Sequence, residues 1–283
     1  YHTFKDPMLR DGSQPMASIA KLVTAAAAIE NNVAGPGATF NCTGRYTVDG
    51  KSVTDHSGIA HGRITMGRAL ATSCNPTFAE IGVKVGREKL LDYFERFLFN
   101  RPLEFDLPVT ESGASFGPGK FGLAEAGSGF DGTWMSPLHA AAMGAAIQNG
   151  GVMMRPYIVQ EMYADGARAF EAHPEELARP IEKRTAAALS RMMSGTVNAP
   201  GGTAYRGFYE GGRKVVQRME VVGKTGSLNG NTNLEHYYWF VGHMKKDNYE
   251  FAFAAAIVND NFWKIKAASY TGEFVKHAVG KLE

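Results

Sequence analysis

Residues 15–29 read Pro-Met-Ala-Ser-Ile-Ala-Lys-Leu-Val-Thr-Ala-Ala-Ala-Ala-Ile, and Asn31 and Asn32 follow. From Ser18 to Ile29 small and apolar residues occupy every face, so this stretch predicts a helix that is buried all round and stops near the two asparagines. Two of its side chains can do chemistry. Ser18 and Lys21 stand at i and i+3 and therefore share one face, and a helix start directs free N–H groups toward developing negative charge.

Such a helix needs other elements around it. Residues 65–71 and 76–85 read as two helical segments separated by Ser73, Cys74 and Asn75. Residues 87–98 carry Leu90, Leu91, Tyr93, Phe94 and Phe97 at helical spacing. Ser136 and Pro137 suit the N-cap and first position of a helix reaching about Gln148, and residues 182–197 predict another. Between Val33 and Arg63 the pattern is irregular, with short β-like pieces such as residues 45–48.

After Gly201 the period becomes that of strands. Residues 215–227, 237–244 and 249–258 suggest an antiparallel meander, with a polar turn at residues 245–248. The almost wholly apolar run 251–258 predicts a central strand covered on both faces, with the amphipathic segment 265–282 as one covering helix. The expected fold is α/β of the α+β kind: an antiparallel sheet flanked by helices, plus a mainly helical subdomain. One domain over residues 1–283 is expected, with the helical subdomain at about 35–210 and the sheet region at about 1–34 and 211–283. No internal repeat or low-complexity tract interrupts it.

Composition narrows the function. The chain has 283 residues, 44% of them hydrophobic, enough for a sizeable core. Its net charge of +2, from 30 basic and 28 acidic residues, offers no broad surface for nucleic acid or anionic lipid, so a small substrate or peptide is expected. No apolar run approaches the roughly 20 residues that span a bilayer, and the chain as given is expected to be soluble. Cys42 and Cys74 make neither a disulfide framework nor a CxxC pair, and the sequence leaves open whether they pair. The 33 glycines gather at residues 113–132 and 201–226, which read as loops around a cleft.

Three short patterns occur in an order that suits a serine acyltransferase: Ser18-Ile19-Ala20-Lys21, Ser73-Cys74-Asn75 and Lys224-Thr225-Gly226-Ser227. Individually they are weak. From residue frequencies S-x-x-K and S-x-N each arise roughly once per chain of this length, and K-T-G in roughly one chain in fifteen. Ser227-Leu228-Asn229 is itself a second, accidental S-x-N. Placement raises their weight, because the first opens a buried helix, the second interrupts two helices and the third ends a glycine-broken strand.

The chemistry follows from residue type. A serine attacks only with a base beside it, and lysine serves if burial and a second cation, Lys224, pull its pKa well below the usual value of about 10.4. Ser73 is placed to relay a proton between Lys21 and a leaving nitrogen, and the Asn75 amide to donate to and accept from a peptide-like substrate. Lys224 and Thr225 suit a terminal carboxylate. Gly223 and Gly226 remove side chains where a substrate backbone would lie. The N–H groups of Ser18 and Ser227 are expected to hold the oxyanion, each worth roughly 3 to 4 kcal/mol.

These residues resemble the penicillin-recognising serine enzymes, and among them the class B penicillin-binding transpeptidases. The likeness extends through Phe40-Asn41-Cys42-Thr43-Gly44, residues 129–156 with Ser136-Pro137-Leu138 and Asn149-Gly150-Gly151, and Gly202-Thr203-Ala204. The resemblance implies a peptidoglycan D,D-transpeptidase that forms an acyl-enzyme with D-alanyl-D-alanine stem peptides and is acylated by β-lactams; no cofactor is expected, and the histidine spacing predicts no metal. It implies a five-stranded sheet and an all-helical subdomain with the cleft between them. It also implies an exported enzyme on the extracytoplasmic face of the cytoplasmic membrane, held by an upstream anchor and working with cell-wall synthesis proteins. Family members have two strands before the serine helix, whereas only residues 1–14 stand there, so either the chain is a fragment of a longer protein or that edge of the sheet is missing or replaced. A D,D-carboxypeptidase, a β-lactamase and a non-catalytic β-lactam sensor share the acylation step and stay open; the lactamase lacks an evident deacylating base.

Other patterns carry less. Gly127, Gly129 and Gly132 spell a dinucleotide fingerprint, but no strand leads into it. Residues 113–120 imitate a phosphate loop, with Phe121 where a magnesium-binding hydroxyl belongs. The 8 histidines show no paired-ligand spacing, Cys74 reads as a small buried filler, and Tyr238 and Trp239 as sheet packing.

Overall fold

The chain is described by a computed structural model over residues 14–215, 217, 219–229, 236–259 and 265–282, without the side chains of 278–282. The expectation about strands ahead of the serine helix falls on residues 1–13 and lies outside the described residues.

The buried helix exists. Ala17–Ile19 forms a 3-10 turn and α1 continues as Ala20–Glu30, with residues 20–28 buried on every side. Around it stand α2 (Met66–Thr72), α3 (Asn75–Val85), α4 (Arg87–Arg96), α5 (Gly119–Ser128), α6 (Pro137–Gln148) and α7 (Lys183–Asn198). Their starts and stops follow from local chemistry. Thr65 Oγ1 accepts from Arg68 N at 3.2 Å and caps α2, while Ser136 Oγ accepts from His139 N at 3.1 Å and caps α6, with Pro137 at its first turn. Ser73 ends α2 in a left-handed conformation (φ 60°), and Pro76 sits in the first turn of α3.

Glycine usage at 119–128 is not that of a loop, as the sequence suggested. A Cβ on Gly82 of α3 would lie 2.7 Å from Leu123 O of α5, and one on Gly127 would lie 2.8 Å from the Gly82 Cα. The glycines let two helix backbones touch, a long-range demand with no local signature.

The sheet has the order β1 (Glu220–Asn229), β2 (His236–Lys246), β3 (Tyr249–Asn259), all antiparallel, with Lys224 opposite Val241 and Gly226 opposite Trp239. Among the described residues β2 is the central strand, and β3 pairs with β2 alone. Phe251 and Val258 are exposed and the residues between are half-buried, whereas Trp239, Phe240, Val241 and Gly242 are all buried. Apolar character alone does not tell a central strand from an edge. The pleat divides the side chains in two. Val222, Trp239 and Val241 join the core around α1, whereas Val221, Phe240 and Met244 join a second core under α8 (Ala267–Leu282). Helices therefore cover both faces. Three strands are described here against the five that the resemblance implied.

Smaller ladders complete the structure. Gln14–Pro15 pairs with Thr133–Met135, which also pairs with Gly113–Ala114, and an exposed hairpin at Glu161–Ala164 and Ala167–Glu171 was not anticipated. Among the described residues no helix is long and apolar enough to cross a membrane.

Candidate active site

Ser18 lies in the 3-10 turn, half-buried, immediately after Ala17, whose φ is +50°. A left-handed non-glycine residue costs about 1–2 kcal/mol, so its surroundings must hold it. They do so from two sides. On one, Gly129 (φ +83°) ends α5, and a Cβ there would lie 2.0 Å from Ala17 O. On the other, Gly226 of β1 leaves room for Met16 O and the Ala17 methyl, each within 3.3 Å of where its Cβ would be.

Those contacts revise the reading of the β1 glycines. A Cβ on Gly223 would meet the Phe240 ring at 2.6 Å, so that glycine admits a core side chain rather than a substrate. Gly226 admits the serine turn.

One helical turn beyond Ser18, Lys21 is fully buried. A 3-10 turn nearly eclipses i and i+3, and Lys21 Nζ reaches Ser18 Oγ at 2.6 Å. The same nitrogen reaches Asn75 Oδ1 at 2.8 Å and Ser128 O at 2.6 Å. Ser128 O is a terminal carbonyl of α5 with no partner inside its own helix, and Thr24 Oγ1 of α1 likewise donates to Gly127 O at 2.9 Å. Side chains of α1 thus cap α5. The sequence reading missed Ser128, which offers only a main-chain atom and stands in the fortuitous glycine pattern 127–132.

The second motif is delivered by the kink between α2 and α3. Asn75 Oδ1 accepts a hydrogen bond from Lys21 Nζ, and Asn75 Nδ2 donates to Thr54 O at 3.2 Å. Ser73 Oγ accepts from Lys224 Nζ at 2.8 Å, so the structure joins Ser73 directly to Lys224 and not to Lys21. Lys224, also fully buried, donates as well to Thr225 O at 2.7 Å. Thr225 Oγ1 lies 2.5 Å from Thr203 Oγ1, which brings in a residue quoted earlier only for resemblance. Ser227 is exposed at the site's rim, with its main chain beside the serine turn. All eight residues singled out from sequence therefore fall in one region, across α1, the α2–α3 kink and β1.

Two amines in one dry region set its electrostatics. Burial lowers the Lys21 pKa to about 7, with Asp55 and then Cys74 working in the opposite direction. Lys224 is held well below the ordinary lysine value, first by burial and then by the Lys21 charge. The repulsion between them thus falls on Lys224, whereas the sequence reading had it acting on Lys21. Such a centre supplies a hydroxyl, a base that is neutral near pH 7, a second hydroxyl on a second amine, and a strand edge.

Trp239 is buried as expected and donates from Nε1 to Pro15 O at 2.9 Å, tying β2 to the segment before the serine turn. Burial raises the Cys74 thiol, in line with a buried filler rather than a nucleophile. His139 is buried against Phe97 O at 2.6 Å and held neutral, its pKa lowered to about 4 by burial.

Comparison with known proteins agrees with this geometry. The penicillin binding protein transpeptidase domain family matches residues 8–280, and the chain belongs to that family. It is 27% identical, over 93% of its length, to stage V sporulation protein D of Bacillus subtilis, of which it covers 41%. It is 26% identical, over 94% of its length, to the peptidoglycan D,D-transpeptidase PbpA of Mycolicibacterium smegmatis, of which it covers 53%. The chain thus spans about half or less of these relatives. The crystal structure of the D,D-transpeptidase domain of a peptidoglycan glycosyltransferase from Eggerthella lenta superposes with a TM-score of 0.84 at 26% identity, over 98% of this chain and 69% of that one. The transpeptidase-like mixed fold expected from the sequence is thereby established.

Proposed function

We propose that the chain is a single catalytic domain of a peptidoglycan D,D-transpeptidase that works through an acyl-enzyme on Ser18. The observation that carries this is the buried Lys21 amine, 2.6 Å from Ser18 Oγ and with a pKa of about 7. Neutral Lys21 takes the Ser18 proton as the oxygen attacks the carbonyl carbon of the penultimate D-alanine. Main-chain N–H groups of Ser18 and Ser227 receive the oxyanion. As the intermediate collapses, the C–N bond breaks and Ser73 protonates the leaving nitrogen, recovering a proton from Lys224. The net effect is one proton moved from Lys224 to Lys21, which suits two buried amines that resist being charged together. Asn75 orients the stem peptide, and Lys224 and Thr225 face its terminal carboxylate. An acceptor amine then takes the acyl group.

β-Lactams acylate Ser18 by the same route. The further expectations travel with the reading: a location on the outer face of the cytoplasmic membrane, an anchor in a longer protein, and cell-wall synthesis proteins as partners.

Intact mass followed over time with penicillin tests the proposal. A long-lived adduct, absent in Ser18→Ala, is expected, and no adduct at any time would overturn it. Rapid loss of the adduct would mark a β-lactamase. D-Alanine release that depends on an added amine is expected; release to water alone would indicate a carboxypeptidase, and none at all a sensor.

A further inference from the structure

Behind the Ser73–Asn75 turn, four side chains from three separate stretches converge: Cys42 at the end of a short strand (Thr39–Cys42), Asp55, His61 and Cys74. One ligand atom from each lies within 4.8 Å of all the others. We infer that these four residues form a metal site of the zinc class, which pins the turn carrying Ser73 and Asn75.

The spacing fits. Bonds of about 2.0–2.3 Å in a tetrahedral zinc site place neighbouring ligand atoms about 3.3–3.8 Å apart. Here Cys74 Sγ and Cys42 Sγ are 3.3 Å apart, Cys42 Sγ and His61 Nδ1 3.7 Å, and His61 Nδ1 and Asp55 Oδ2 3.0 Å. The remaining pairs lie within 4.8 Å, so side-chain shifts of up to about 1 Å would admit the ion.

A second observation points to a cation. Asp55 is only 7% exposed, yet its Oδ2 makes no hydrogen bond. Its one near partner is His61 Nδ1 at 3.0 Å. A carboxylate oxygen left with so little compensation at that depth is costly, and a metal ion would supply it. The other oxygen, Oδ1, is engaged by His56 N at 3.0 Å and Asn75 N at 3.4 Å, which orients the carboxylate. Two thiols, an imidazole and one carboxylate form a borderline-soft donor set, suited to zinc rather than to magnesium or calcium. Thr77 Oγ1, 3.1 Å from Cys74 Sγ, can donate to a thiolate there.

On binding, each thiol releases its proton to solvent and its sulfur supplies the electron pair of the metal bond, with no change of oxidation state. Cys74 lies between Ser73 and Asn75 in the chain, and Asp55 grips the Asn75 N–H. The ion therefore braces the groups that meet Lys224 and Lys21. This site and the Ser18 chemistry are separately testable, because the readout is the metal itself.

The chain, purified without chelator, should contain one zinc per molecule by plasma mass spectrometry. Replacement by cobalt(II) should give tetrahedral d–d bands and a thiolate charge-transfer band. His61→Gln, at a partly exposed position, and the isosteric Asp55→Asn should keep the fold by circular dichroism and lose most of the metal. Stripping the metal should slow penicillin acylation roughly tenfold or more, and zinc should restore it. A folded chain that takes up neither zinc nor cobalt, metal retained in both variants, or a Cys42–Cys74 disulfide in the native mass would each overturn the inference.

Discussion

Lys21 has three partners, and that number fixes which protonation state does what. As an ammonium it donates to Ser18 Oγ, Asn75 Oδ1 and Ser128 O; as a neutral amine it gives its two N–H groups to the two carbonyl oxygens and leaves its lone pair for the Ser18 hydroxyl. Only the second form can accept a proton. With a pKa of about 7, penicillin acylation should fall as pH drops through neutrality and level off above about pH 8, measured as the second-order rate of adduct formation. A rate flat across that range would reject Lys21 as the base. Lys21→Arg keeps the charge but cannot become neutral, and should lower the rate by about 10³ or more. The pairing of Ser18 with Lys21 was legible because both lie within one helical turn. The Ser128 carbonyl and Asp55 were not: a main-chain atom has no residue signature, and Asp55 reaches Asn75 across 20 positions of chain.

At the scale of elements, most helix borders were legible, whether capped by a side chain, as at Ser136, or not, as at Lys183. Ser136 is fully buried with its Oγ on the His139 N–H, so Ser136→Ala should cost about 1–2 kcal/mol in chemical denaturation, with little effect on the acylation rate of the folded protein. Gly129 answers to a longer-range demand. Its φ of +83° and the absence of space toward Ala17 O mean that Gly129→Ala should cost about 3 kcal/mol or more and should slow acylation as well, because the displaced backbone is that of the serine turn. Full acylation by this variant would show that the turn is not held by α5. Helix α5 was misread for a physical reason. Glycines that permit backbone contact look like loop glycines until the partner element is known.

Across the whole molecule, β2 is the shared wall of two cores, with Trp239 and Val241 on one side and Phe240 and Met244 on the other. Neither core can lose that strand and stay closed. If the domain is single, far-ultraviolet circular dichroism and tryptophan fluorescence should report one coincident unfolding transition in denaturant. Two separated transitions would divide the helical body from the sheet. The order of elements announced this architecture, since a run of helices followed by a meander of strands leaves few other packings. The wedging of the serine turn between Gly129 and Gly226 has a practical result for antibiotic selection. Inherited changes that blunt β-lactam action are expected to have almost no latitude within the turn and to gather at the solvent-facing rim, where the Ser227 side chain is exposed.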